Sequence, residues 1–228
     1  MQFKKVTHVI FDMDGLLIES ESVYDKIIGD IAAQFGKEYS ADIKLKILGT
    51  PEPDTARIAV TEMQLPLSPE EFLADYKQRV MKELQNPELM PGAKELVRHL
   101  HKNDIPIAVA TSSSQESMEM KTKNHYQDVF RFFHHIVCGS TDTEVKHGKP
   151  APDIFLVCAS RFPDKPDPSQ CLVLEDAPNG VVGAIRAGMQ AVMVPAKYVG
   201  EELRKPATLV LESLNDFKPE LFGLPARE

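Results

Sequence analysis

Apolar positions along the chain follow two periods. Short β-branched or apolar runs at residues 6–11, 105–110, 135–138, 171–174 and 191–194, with a weaker one at 209–211, have the length of buried strands. Between most of them apolar residues recur at the 3.6-residue spacing of a helix face, as at 93–100 and 181–187. Strands alternating with helices predict βαβ units, hence an α/β fold built on a doubly wound parallel sheet with helices on both faces. Ligands in such sheets bind beyond the carboxyl ends of the strands, so chemistry is expected directly after each run.

Residues 20–88 break the alternation. Val23, Ile27, Ile31 and Phe35 fall at intervals of four, with Gly36 placed to end that helix. Ser40 is suited to cap a short helix ending at Gly49, and Pro51 to open the next. Ser68-Pro69-Glu70-Glu71 spells a capping box, followed by Phe72, Tyr76, Val80 and Leu84. The expected organisation is a core of residues 1–18 and 90–228, interrupted by a helical cap over 19–89. Hinges are expected near residues 17–20 and 86–91, where Asn86-Pro87 and Met90-Pro91-Gly92 punctuate the return to the sheet.

Charge narrows the partners. Among 228 residues, 26 Lys plus Arg against 34 Asp plus Glu give a net charge of −8, with no cluster of four basic residues to neutralise phosphate backbones. Nucleic-acid polymers are excluded as partners, and no apolar run reaches the 18 or so residues of a membrane span. Cys138, Cys158 and Cys171 lie in apolar surroundings without C-x-x-C spacing. They are expected to be buried free thiols of a cytoplasmic protein.

Four strand ends carry reactive groups. The first run ends in Phe11-Asp12-Met13-Asp14-Gly15. Residues two apart in an extended chain point the same way, so both carboxylates can face one spot, and Gly15 lets the chain turn away. Adjacent carboxylates repel unless a cation is shared, and a hard, oxygen-loving ion such as Mg²⁺ resolves the conflict. The second run leads into Thr111-Ser112-Ser113, whose hydroxyls and backbone N–H groups suit an anionic oxygen. Lys149 stands in Gly148-Lys149-Pro150-Ala151-Pro152, a loop stiffened by prolines, where its ammonium would offset charge. The fourth run meets Glu175-Asp176-Ala177-Pro178, which makes Asp176 a third ligand for the cation at Asp12, with Glu175 beside it as a weaker or outer ligand.

In this order, Asp12-Met13-Asp14-Gly15, Thr111-Ser112, Lys149 and Glu175-Asp176, the chain closely resembles the haloacid dehalogenase-like hydrolase superfamily, in its phosphoglucomutase-like branch with a helical cap after the first motif. The resemblance spans the whole chain. It implies that Asp12 is a nucleophile forming an aspartyl-phosphate and that Asp14 is the general acid, then base. It implies Mg²⁺ held by the Asp12 carboxylate, the Asp14 backbone carbonyl and Asp176. Thr111, with Ser112, Ser113 and Lys149, would bind the transferred phosphoryl group.

Asp14 separates phosphatases and phosphomutases from halide-removing relatives, which keep no acid there. Similar mutases place an Arg soon after the glycine at Gly49. Here Thr50-Pro51-Glu52-Pro53-Asp54 follows, and its acids would repel a second phosphate. Hydrolysis of a small phosphomonoester is therefore expected. Within the branch the chain is similar to the pseudouridine 5′-phosphatase group, on residues 11–17, 147–150, 175–180 and the terminal Pro219-Glu220-Leu221-Phe222-Gly223-Leu224-Pro225. It departs at Glu19, where many of that group carry Asp. Glycerol or sugar phosphates are the alternative substrates, and a sugar phosphomutase the alternative reaction. Specificity is expected from Ser20, Glu21, Tyr24, the surroundings of Gly49, and Ser113. A receiver-like phospho-switch uses similar groups, but its acid pair and accepting Asp lie on different strands and it has no cap. The enzyme is expected to act as a monomer.

Overall fold

In a computed structural model, which describes residues 3–227, the six strands form one parallel sheet. They are β1 (His8–Phe11), β2 (Ile107–Thr111), β3 (His135–Cys138), β4 (Cys171–Glu175), β5 (Gln190–Met193) and β6 (Leu209–Val210), in spatial order β3-β2-β1-β4-β5-β6. The order reverses on either side of β1, so β1 and its neighbours frame the crevice where ligands of such sheets bind. The central strands β1, β2 and β4 are buried along their whole length because both faces are covered. Alternate residues feed opposite layers: Val9, Phe11, Val109, Leu172 and Leu174 enter one core, and Ile10, Ala108, Ala110, Cys171 and Val173 the other.

Four helices occupy the segment after β1: α1 (Glu21–Gln34), α2 (Ala41–Ile47), α3 (Glu52–Met63) and α4 (Pro69–Glu83). They enclose a separate apolar cluster that includes Ile27, Ile31, Ala59, Phe72, Tyr76 and Val80. The capping box of α4 is formed in both directions, Glu71 N–H donating to Ser68 Oγ and Ser68 N–H to Glu71 Oε2. Two expected boundaries differ in detail. Ser40 stands at the start of α2 without a side-chain cap bond, and Pro51 sits one residue before α3 instead of inside it. The chain entering and leaving this helical segment is stitched together, Glu19 N–H donating to the Glu88 carbonyl at 2.8 Å and Met90 N–H to the Leu17 carbonyl at 2.9 Å.

The remaining helices are α5 (Ala93–Lys102), α6 (Gln115–Thr122), α7 (Asp153–Arg161), α8 (Pro178–Arg186) and the short α9 (Glu201–Arg204). Cys138, Cys158 and Cys171 are buried free thiols. Among the described residues no helix is long and apolar enough to cross a membrane.

Candidate active site

The carboxyl ends of β1, β2 and β4 converge on one charged cluster. Asp12 follows β1 directly, its N–H bonded to the Leu174 carbonyl of β4 at 2.9 Å. Beside it the Lys149 ammonium, 1% exposed, donates to Asp12 Oδ1 at 2.5 Å, to Glu175 Oε1 at 2.6 Å and to the Ala110 carbonyl at 3.0 Å. All three ammonium protons are thereby used. Burial opposes the charge on Lys149, but Asp12 and Glu175 more than offset it and raise its pKa. Glu175 is pinned further, Oε2 accepting from the N–H groups of Asp176 and Ala177 at 3.0 and 2.9 Å. Gly180 makes the room: a Cβ there would lie 1.7 Å from Glu175 Oε1.

Asp12, Glu175 and Asp176, all buried, can bring one carboxylate oxygen each within 4.8 Å of one another. The third acid of the fourth strand end thus meets the first strand end, as the cation reading requires. Among the described residues no hydrogen bond or ion pair reaches the Asp176 carboxylate. Burial, then Glu175, Asp12 and Glu21, push its pKa well above the ordinary value. Burial likewise pushes Asp12 up to about 8, against the pull of Lys149. Three buried carboxylates with a single ammonium, one of them without a donor, form an oxygen-only ligand set that fits a hard divalent ion such as Mg²⁺. Gly15, at φ +78°, is held against this set, since a Cβ would stand 2.3 Å from Asp176 Oδ2.

Asp14 is placed differently. Its carboxylate does not join the acidic cluster, because the turn at Gly15 directs it towards α6 and α1. Lys121 of α6 donates to both its oxygens at 2.7 and 2.9 Å, and Lys121 is fully buried. Ser20 Oγ (2.7 Å), Tyr24 OH (3.2 Å), Ser113 Oγ (2.9 Å) and Thr111 Oγ1 (3.3 Å) complete the cradle. Burial raises the Asp14 pKa, but the Lys121 charge and the bonds from Lys121, Ser20 and Ser113 outweigh it and hold the carboxyl below its ordinary range. The two carboxylates therefore do not face one spot: each has its own ammonium, Lys149 for Asp12 and Lys121 for Asp14.

Of the hydroxyls after β2, Thr111 is the last strand residue and fully buried, accepting from the Ser113 N–H at 3.1 Å. Ser112 and Ser113 line the cavity above, and Ser112 Oγ reaches the Gly49 carbonyl at 3.1 Å. That cavity, about 700 Å³ and open to solvent, has Asp12, Asp14, Glu175 and Asp176 at its floor and Glu21, Tyr24, Asp25, Tyr39, Lys44, Glu52 and Tyr198 among its walls. Glu21, Tyr24 and Ser113 thus border the site, whereas Ser20 acts on it through Asp14. Glu21 is pushed up to about 8 by burial and by Asp14, Asp25 and Asp12.

Sequence reasoning missed Lys121. Its helix, QESMEMKT, has no apolar stripe and resembles a solvated segment. The available signal was the spacing of Ser113, Ser117 and Lys121, which puts three polar residues on one face, together with Asp14's need for a counter-charge. Tyr39, Lys44, Asp25 and Tyr198 were also missed as walls of the cavity.

Comparison with known proteins agrees with this geometry. The haloacid dehalogenase-like hydrolase family matches residues 6–188. A probable pseudouridine-5′-phosphatase of Drosophila melanogaster is 49% identical over 98% of this chain and 96% of that protein. (DL)-glycerol-3-phosphatase 2 of Arabidopsis thaliana is 44% identical over 98% of this chain and 93% of its own length. Among solved structures, a CbbY variant from Rhodobacter sphaeroides in complex with xylulose-(1,5)bisphosphate superposes with a TM-score of 0.75 at 24% identity, covering 92% of this chain and 96% of that one. That likeness concerns the fold.

Proposed function

The chain belongs to the haloacid dehalogenase-like hydrolase family, and from that premise we propose that it is a Mg²⁺-dependent phosphatase that converts pseudouridine 5′-phosphate to pseudouridine through an aspartyl-phosphate at Asp12. The observation that carries the reading is the meeting of Asp12, Glu175 and Asp176 at one cavity floor, with the buried Lys149 ammonium on the first two and a second acid, Asp14, two residues from the first on its own ammonium. The substrate rests on the Drosophila relative and on the acid-lined cavity, which disfavours a second phosphate near Glu52.

Asp12 would attack phosphorus through a carboxylate oxygen, forming the P–O bond to Asp12 as the bond to the ribose oxygen breaks. Lys149 holds that carboxylate in place and offsets phosphoryl charge. Asp14, once protonated, gives its proton to the departing oxygen. As a carboxylate it then takes a proton from the water that attacks the aspartyl-phosphate, releasing phosphate and restoring Asp12. Ser112 and Ser113 border the space for the phosphoryl oxygens, while Thr111 and Lys121 keep Asp14 in place. A divalent ion on Asp12 and Asp176, with the Asp14 carbonyl, would supply charge neutralisation for the phosphoryl group.

Helices α1–α4 act as a cap over the core formed by residues 1–18 and 90–228 and supply much of the cavity wall, Glu21, Tyr24, Asp25, Lys44 and Glu52 among it. Buried free thiols suit a reducing cytosol. Steady-state kcat/KM over a panel of phosphomonoesters, for the parent and for Asp12→Asn, tests the reading. Pseudouridine 5′-phosphate is expected to exceed glycerol 3-phosphate, and the variant to lose turnover on every ester. A variant that turns over at the parent rate refutes the nucleophile, and equal rates on the two esters refute the substrate.

A further inference from the structure

The upper wall of the cavity carries an acceptor and a donor side by side. Lys44 Nζ of α2 contacts Asp25 Oδ2 of α1 at 2.8 Å, and the same ammonium lies 5.3 Å from the centre of the Tyr39 ring. Both charged side chains are about a quarter exposed, at 29% and 23%, and both line the cavity along with Tyr39 and Tyr198. The contact uses one of three ammonium protons, and the Asp25 carboxylate also takes a hydrogen bond from the Tyr39 hydroxyl; with about four lone-pair sites on a carboxylate, donor and acceptor capacity remain for a ligand. Position follows from α1. Glu21 stands at its start, its Cγ 3.0 Å from where a Gly15 Cβ would be, hence beside the Asp176 carboxylate. Asp25 lies four residues further along α1, about 6 Å deeper into the helical segment. The Asp25–Lys44 pair is thus set back from the reacting carboxylates, where the far end of the leaving group would lie.

We propose that Asp25 and Lys44, flanked by Tyr39 and Tyr198, form a subsite for the imide edge of a flat nucleobase, Asp25 accepting a ring N–H and Lys44 donating to the adjacent ring carbonyl. This rests on the phosphatase reading above and specifies how the non-phosphate end is recognised. The chemistry selects among esters. A uracil ring linked to ribose through carbon turns N1–H, C2=O and N3–H away from the sugar. The nitrogen-linked isomer turns away N3–H, C4=O and a C–H. Only the first offers an N–H on both sides of the carbonyl, so it can pair with the Asp25–Lys44 couple in either orientation about that carbonyl. The two tyrosine rings add faces on which a flat base can stack. Glycerol 3-phosphate has no ring to place there. Such a ligand leaves Asp25 and Lys44 to each other and forfeits both base contacts.

The test uses Asp25→Ala and Lys44→Met in the full chain, with kcat/KM for pseudouridine 5′-phosphate, uridine 5′-phosphate and glycerol 3-phosphate, and the inhibition constant of free pseudouridine. The ratio of pseudouridine 5′-phosphate to glycerol 3-phosphate should fall about 10- to 100-fold in either variant, the size of one lost hydrogen bond to a charged group, and pseudouridine inhibition should weaken alongside it. Equal losses on all three esters, or unaltered pseudouridine inhibition in both variants, would overturn the subsite. The substrate reading is judged separately by the parent enzyme. If the parent prefers glycerol 3-phosphate, that reading fails, while pseudouridine inhibition that disappears in Asp25→Ala still supports the subsite. A parent enzyme that pseudouridine does not inhibit refutes it.

Discussion

Replacing Lys121 with Met removes the ammonium under Asp14 while keeping most of the side chain's length and apolar stem. Lys121 is fully buried and binds both Asp14 oxygens, Tyr24 OH at 2.8 Å and Ser113 Oγ at 2.7 Å. Deleting one partner of a buried ion pair costs about 3–5 kcal/mol, because the other charge is stranded. Four hydroxyl donors remain on Asp14, which places the cost at the lower end, about 3 kcal/mol at pH 7. The stranded acid also has an escape: it can take up a proton. For a carboxyl with an ordinary pKa near 3.9, that costs about 4 kcal/mol at pH 7 but only about 1.5 kcal/mol at pH 5. In the parent, Asp14 is held below its ordinary range. Its contribution is therefore complete above the unfolded pKa and is lost only as pH falls through the lower folded value, so it is constant from pH 5 to 7. The variant's deficit should accordingly shrink from about 3 kcal/mol at pH 7 to about 1.5 kcal/mol at pH 5. Urea unfolding of both proteins at pH 5, 6 and 7 measures this. A deficit below about 1 kcal/mol throughout, or one that does not vary with pH, would refute the placement of a charged Asp14 on Lys121.

Gly180→Ala would thrust a Cβ to 1.7 Å from Glu175 Oε1 and dislodge the carboxylate that holds Lys149, whereas Gly29, in α1, has open space around its Cβ position. Thermal melts should show a loss of about 2–3 kcal/mol for Gly180→Ala and a gain of about 0.5–1 kcal/mol for Gly29→Ala. In chelator, Asp12 and Asp176 carry raised folded pKa values, about 8 for Asp12. Their contribution is complete below the unfolded value near 4 and is lost as pH rises through the folded one, so the melting temperature should fall between pH 5 and 8. Saturating Mg²⁺ should raise the melting temperature most at the alkaline end, and a Mg²⁺ effect independent of pH would contradict the shared acidic cluster.

The sheet was legible because its central strands are buried on both faces, so Val9-Ile10-Phe11 and Leu172-Val173-Leu174 are unbroken apolar runs that a helix of that length would not need. The helical segment was legible from its period and from Ser68 and Glu71, which make the bonds their spacing implies. The site was legible at strand ends, where topology alone brings residues 12, 149 and 176 together. Two features depended on contacts that no local pattern contains. The separation of Asp12 from Asp14 arises at Gly15, where a left-handed turn ends the extended chain and with it the rule that residues two apart face alike. Lys121 is hidden by Tyr24 of α1, a burial imposed by a neighbouring element on a helix whose own sequence is polar.

The same contacts tie the acid Asp14 to the helical segment. Of its five donors, Thr111, Ser113 and Lys121 belong to the sheet side, while Ser20 and Tyr24 belong to the entry linker and α1. Any rotation of α1 away from the sheet must break the Tyr24 bonds to Asp14 and Lys121 together, exposing both to water. Water would then screen the Lys121–Asp14 attraction that burial now strengthens. The charge state and position of Asp14 consequently depend on how α1 is seated, although α1 contributes no group to the acidic cluster of Asp12, Glu175 and Asp176. Asp12 takes no hydrogen bond from α1: Lys149 bonds its carboxylate, and its N–H donates to the Leu174 carbonyl of β4. On the proposed reading of Asp12 as nucleophile and Asp14 as acid, the bonds from Ser20 and Tyr24 make proton transfer, more than phosphoryl attack, the step that depends on how α1 is seated.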